Sequence, residues 1–173
     1  MEAGSDIDFF IITAPGRLWV TRTLLIAFKK IFLFNSHRDF CLNYFIDTDH
    51  LEIEDKNIFT ATEVAFLLPT HNPALYKAFR AANTWADEYY PNHGLRCLEQ
   101  CAEVEQGMFK RLGEWLLKGR LGEALDARFM RLTMGRWQKK FTHLEPSRFE
   151  VAMRSRKYVS KHHPSAFQGR AIG

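Results

Sequence analysis

Apolar and polar positions change period several times along the chain. Residues 7–13 read Ile-Asp-Phe-Phe-Ile-Ile-Thr and close on Ala14-Pro15-Gly16. A short apolar run rich in Ile and Phe, ended by turn residues, predicts a buried strand. From about residue 17 to 34 the spacing turns helical. Leu18, Leu25, Phe28 and Phe32 form the expected core stripe, and Arg17, Arg22, Lys29 and Lys30 the expected wet face. Pro15 suits the first helical turn, where its missing N–H costs nothing. Asn35-Ser36 punctuates, and residues 40–46 predict a second strand. Strand, helix and strand at this spacing make a βαβ-like or split unit rather than a hairpin. Leu51-Glu52-Ile53 is a candidate third strand.

Beyond residue 58 the pattern is helical. Thr60-Ala61-Thr62-Glu63 has the form of a capping box opening a helix to about Leu68, with Pro69 as its stop. Asn72-Pro73 pairs an N-cap with Pro at the first helical position and predicts a helix to about Tyr90. Pro91-Asn92-His93-Gly94 breaks the chain. Residues 95–118 predict another helix, with Leu98, Val104, Met108, Leu112, Trp115 and Leu116 facing the core. Gly119 is a candidate cap, and residues 121–141 predict a further helix with a weak point at Gly135. Ser147-Arg148-Phe149-Glu150 is a second capping box, opening a helix to about Tyr158. The last dozen residues read as a tail.

The expected fold class is therefore α+β and mostly helical: a small mixed sheet packed with helices, then a helical C-terminal half. The expected organisation is an α/β part over 1–58, a helical region over 59–160 and a basic tail over 161–173. At 46% apolar residues in 173, the chain has ample material for a packed core, which excludes wholesale disorder. No apolar stretch approaches the roughly 20 residues of a membrane span, so no membrane partner is expected. Acidic residues crowd the start, where a secretory signal would be positive. Three cysteines, Cys41, Cys97 and Cys101, make no disulfide framework, and a reducing cytoplasmic compartment is expected.

Charge is uneven. Residues 128–173 carry 11 Lys or Arg against 2 Asp or Glu, whereas residues 1–127 carry 13 against 18. A basic C-terminal third points either to a polyanionic partner or anionic substrate, or to solvated helix faces. Arg148, Arg154, Arg156, Lys157 and Lys161 form the candidate basic stripe, with Arg154 and Lys157 sharing a face if helical.

One constellation carries chemical content. In a strand, residues i and i+2 face the same way, so Asp6 and Asp8 put two carboxylates side by side at the strand's leading end. Such like charges repel unless a cation intervenes. A hard divalent ion relieves them, and Mg²⁺ suits a shell completed by phosphates. The plainer alternative is an acidic strand end in solvent.

Residues 4–12, Gly-Ser-Asp-Ile-Asp-Phe-Phe-Ile-Ile, resemble the Ser-Asp-hydrophobic-Asp strand of the DNA polymerase β-like nucleotidyltransferase superfamily. Residues 40–45 and 56–63, Arg154-Ser155-Arg156-Lys157, and Ser160-Lys161-His162-His163-Pro164 look like a group of bacterial nucleotidyltransferase-domain proteins with a helical C-terminal half. The resemblance implies transfer of a nucleoside monophosphate from a nucleoside triphosphate to a hydroxyl acceptor, with release of pyrophosphate. It makes Asp6 and Asp8 ligands of Mg²⁺ and leaves Ser5 without a separate role.

Two departures stand out. The family's Gly-Ser turn lies about ten residues upstream of the aspartates, where its N–H groups cradle the triphosphate; Gly4-Ser5 abuts Asp6 and is not that turn. The expectation is a truncated N-terminus and impaired activity, with self-association through the exposed sheet edge. The family's third carboxylate comes from the neighbouring strand, where this chain offers Cys41 and Asn43, with Asp39 before and Asp47 after. The alternative function is a non-catalytic remnant binding polyanions through the basic third.

Other candidates have plainer readings. Cys97 and Cys101 at i, i+4 lack further metal ligands and are expected to pack. His162-His163 is expected in an exposed loop, and Trp19, Trp85, Trp115 and Trp137 in the core. Asp47, Asp49, Glu52, Glu54 and Asp55 lack the EF-hand spacing and suit a solvated turn.

Overall fold

The computed structural model describes residues 7–34, 40–96, 98–102, 107–142 and 154–161. Its elements are β1 (Asp8–Thr13), α1 (Leu18–Phe32), β2 (Cys41–Asp47), α2 (Ile58–Phe66), α3 (Pro73–Ala82), α4 (Met108–Leu116), α5 (Arg120–Lys140) and β3 (Val159–Lys161), with 3₁₀ turns at Thr84–Glu88 and Leu98–Gln100. The fold is α+β and mostly helical, with a three-stranded mixed sheet in the order β1-β2-β3. The chain divides into two compact units: residues 1–49 with 113–173, and residues 50–112.

The first unit is built on the strand–helix–strand unit. β1 pairs parallel with β2, and β3 pairs antiparallel with β2. Pro15 lies outside the helix. Ala14 to Arg17 form a β-turn closed by Arg17 N donating to Ala14 O at 3.2 Å, with Pro15 in second place and Gly16 at φ +65° in third. That is the type II arrangement, in which Pro sets one dihedral and only Gly takes the next without strain. α1 then packs Leu18 and Trp19 onto Leu42 and Phe45, with Phe9, Ile11, Leu25, Phe129 and Met130 around them.

Leu42 and Phe45 are three apart, which plain strand alternation would put on opposite faces. The register passes from Phe9↔Leu42 to Phe10↔Tyr44, so Asn43 is the extra residue of a β-bulge. The bulge returns Phe45 to the α1 side.

α1 is oriented differently from its expected stripe. Arg22 and Lys29, expected in solvent, are buried, while Phe28 and Phe32, expected in the core, are exposed together with Leu24 and Ile31. Arg22 is covered by α5 through Trp137, which the helix's own periodicity cannot reveal. α5 is unbroken at Gly135. Its carboxylate Asp126 accepts from Trp19 N at 2.8 Å and Val20 N at 3.0 Å, so a residue more than a hundred positions away caps α1.

In the second unit, Asn57 rather than Thr60 caps α2, accepting from Phe59 N and Thr60 N. Asn72 caps α3 as expected, followed by Pro73 at its start. α3 ends at Asn83, well before Tyr90. The Asn83 side chain is fully buried and satisfied. Its oxygen accepts from Ile53 N at 2.8 Å and Trp85 Nε1 at 3.1 Å; its nitrogen donates to Leu51 O and Phe79 O, both at 2.8 Å. Residues 51–53 are therefore tied down by an amide and form no strand.

Two expected helices are corrected. Residues 95–118 contain a 3₁₀ turn, a bridge between Ala102 and His71, and α4 only from Met108. Met108, Leu112, Trp115 and Leu116 are exposed, not core; Val104 and Cys97 lie outside the described residues, and Cys101 is half-buried. Residues 154–161 form a hairpin, not the end of a helix. Arg156 N donates to Val159 O and Lys161 N to Arg154 O, each at 2.8 Å. The capping box at 147–150, Asn35-Ser36 and His162-His163 lie outside the described residues. No described helix is long and apolar enough to cross a membrane.

Candidate functional site

Asp8 opens β1 opposite Cys41 of β2 and is exposed. It falls on the same face as Phe10, which stacks on Tyr44 with centroids 5.3 Å apart; Phe9 and Ile11 face α1 instead. Asp6 lies outside the described residues.

The bulge that serves the core also aims a side chain here. Asn43 Nδ2 donates to Asp8 Oδ1, and Cys41 Sγ donates to Asn43 Oδ1 at 3.1 Å. Asp8, Asn43 and Cys41 thus meet at the leading end of the two parallel strands. Asp47, by contrast, pairs with Thr13 at the other end of β2, about 20 Å away at 3.3 Å per residue. It is buried and accepts from Asp49 N at 3.2 Å, so it does not reach Asp8. Asp39 lies outside the described residues. Of the neighbouring-strand candidates that are described, Asn43 is the one that touches Asp8's carboxylate.

No group of three His, Cys, Asp or Glu is assembled among the described residues. Beside the Cys41 thiol, the donors at this corner are hard oxygens, two from the Asp8 carboxylate and one from the Asn43 amide, of the kind that suits Mg²⁺. In the present arrangement Asn43 offers nitrogen to Asp8. Turning the amide over would present its oxygen beside the carboxylate.

The expected basic stripe does not lie along a helix. Arg156 and Lys157 are exposed at the hairpin, Arg154 is half-buried, and Lys161 is buried opposite Tyr44. Arg148 lies outside the described residues. Sequence reasoning missed a longer basic surface on α5, where Arg120, Arg128, Arg131, Arg136, Lys139 and Lys140 are all exposed. At 3.6 residues per turn Arg120, Arg128, Arg131 and Lys139 fall on the side opposite Asp126 and Trp137, with Arg136 and Lys140 flanking it, a signal the periodicity did contain.

One further anion locus is excluded. A helix N-terminus after a strand often binds phosphate, but at α1 the Asp126 carboxylate already takes that place. Burial raises the Asp126 pKa above the usual carboxylate value, against the opposing pull of the Val20 and Trp19 N–H groups and the charges of Arg17 and Lys157.

No family model, curated protein or solved structure matches the chain.

Proposed function

We propose that the chain is a Mg²⁺-dependent nucleotidyltransferase domain. It would move a nucleoside monophosphate from a nucleoside triphosphate to a hydroxyl acceptor, with Asp6 and Asp8 as the metal ligands. The observation that supports this reading most is the meeting of Asp8 with Asn43, a side chain of the adjacent strand, at an exposed strand end. That is the strand from which the resemblance draws a third carboxylate; here an amide stands beside Asp8 instead. When bound, the ion would neutralise phosphate charge and favour attack by the acceptor oxygen. Asp8 supplies the carboxylate, which Asn43 Nδ2 holds in place; with its amide turned over, Asn43 would offer an oxygen instead.

The test is titration of ATP and GTP into the protein with Mg²⁺ or with EDTA. Binding that needs Mg²⁺ and is lost in both Asp6→Asn and Asp8→Asn is expected. Triphosphate binding that survives both substitutions overturns the assignment.

A second reading, a non-catalytic polyanion-binding module, is favoured by the exposed basic face of α5. It calls for RNA or DNA binding that weakens steeply with salt and ignores Mg²⁺ and Asp8. Failure to bind either polymer at low salt removes it.

A further inference from the structure

Arg22 lies one turn beyond Trp19 on α1 and is 5% exposed. Its guanidinium carbon is 4.6 Å from the Trp137 ring centroid, 5.9 Å from that of Phe45 and 6.0 Å from that of Trp19. Three rings attract a cation through their faces, but they accept none of its N–H groups in the ordinary way. Among the described residues, the fully buried Nε has no hydrogen-bond partner and no carboxylate pairs with Arg22. Burial lowers its pKa only to about 10, so at neutral pH it remains a cation. A buried, unpaired charge of this kind is costly.

The same neighbourhood holds two more unsatisfied groups. Ser160 is the cross-strand partner of Phe45, and Ser155 pairs with Ser160 across the hairpin. Directly opposed residues point to the same face, so Phe45, Ser160 and Ser155 form a row on the α1 side, with Arg22 over its Phe45 end. Both hydroxyl oxygens are buried and, among the described residues, without a hydrogen-bond partner. Trp19 Nε1 donates to Arg156 O at 3.0 Å, which fixes the hairpin against α1 beside Arg22.

We propose that Arg22, Ser155 and Ser160 form a binding site for a phosphate group, carried as free phosphate or as a phosphate monoester. A guanidinium fork and two hydroxyls on a separate element can donate together from several directions, which suits a tetrahedral oxyanion that accepts on every oxygen. The hairpin carries no acidic residue over 154–161; its Arg154, Arg156 and Lys161 alternate with Ser155 and Ser160 and so belong to the other face. Ser155 is half-buried and Arg156 and Lys157 are exposed, which gives an approach along the hairpin. The site lies on the α1 side of the sheet, whereas Asp8 lies on the other, so the two are independent.

The experiment is calorimetric and thermal titration with inorganic phosphate, and separately with adenosine monophosphate, in EDTA. Saturable binding of at least one probe is expected, unchanged in Asp8→Asn. It should weaken at least tenfold in Arg22→Met and in the double variant Ser155→Ala/Ser160→Ala. Without ligand, Arg22→Met should melt no lower than the parent, because it removes an unpaired buried charge. Absence of binding by both probes overturns the site. So does a non-saturating rise in Tm shared by the parent and Arg22→Met, the general effect of an excluded salt. Should Arg22→Met fail to fold, the serine double variant decides: unchanged affinity in it overturns the proposal.

Discussion

At the scale of the residue, two side chains do work that their own segments do not announce. Asp126 satisfies two buried N–H groups of α1 from another helix. Loss of a cap and exposure of unpaired donors together make Asp126→Ala destabilising by about 2–4 kcal/mol, read from urea unfolding. The carboxyl's raised pKa sets a sign as well. The folded state holds this proton more tightly than the unfolded chain. Its contribution is therefore full below the unfolded value of about 4 and is lost as pH rises through the raised value. The stability of the parent relative to Asp126→Asn should thus fall as pH rises above about 4; a difference that does not change with pH contradicts the account. Asn43 is the second such residue. Asn43→Asp would set a carboxylate against Asp8, destabilising the metal-free chain and tightening Mg²⁺ about tenfold or more. A calorimetric Mg²⁺ affinity no better than the parent's argues against an oxygen site there. Residue identity made Asp8 legible as a chemical candidate, but it could not show Asn43 beside it, because that contact depends on a bulge.

At the scale of the element, local signals were sufficient where they were complete within a few residues. The apolar run of β1, the helical period of α1 and the Asn72-Pro73 start of α3 all act locally, and all three elements form. The failures share a physical cause: the deciding partner is distant in sequence. Residues 154–158 read as the end of a helix in isolation, yet the free edge of β2 recruits the Val159, Ser160 and Lys161 that follow as a strand. Arg22 reads as solvent-facing until Trp137 of α5 covers it. α5 also comes close to the start of α1. A Cβ added at Gly122 would sit 1.9 Å from Leu117 O and 2.8 Å from Arg17 Cζ. The backbone oxygen cannot yield cheaply, so Gly122→Ala should cost about 3 kcal/mol despite its better helix propensity. A thermal melt no lower than the parent's would show that this approach is not tight.

At the scale of the whole molecule, the fold class follows from the order of elements, whereas the division into two units does not. The first unit is discontinuous, joining residues 1–49 to 113–173, and sequence patterning carries no mark of such a return. Among the described residues β1 borders only β2, and α1 exposes Leu24, Phe28, Ile31 and Phe32. An apolar edge strand beside an apolar helix face favours pairing with another copy. The chain should elute as a dimer or larger species in size-exclusion chromatography with light scattering at micromolar concentration; a monodisperse monomer there refutes this. The central claim concerns the cation at the leading end of β1. Its most direct test is electron paramagnetic resonance of Mn²⁺, a hard ion that stands in for Mg²⁺, titrated with the protein. The account predicts a bound-ion signal that Mg²⁺ displaces and that disappears in Asp8→Asn. An identical signal in the parent and Asp8→Asn would contradict it.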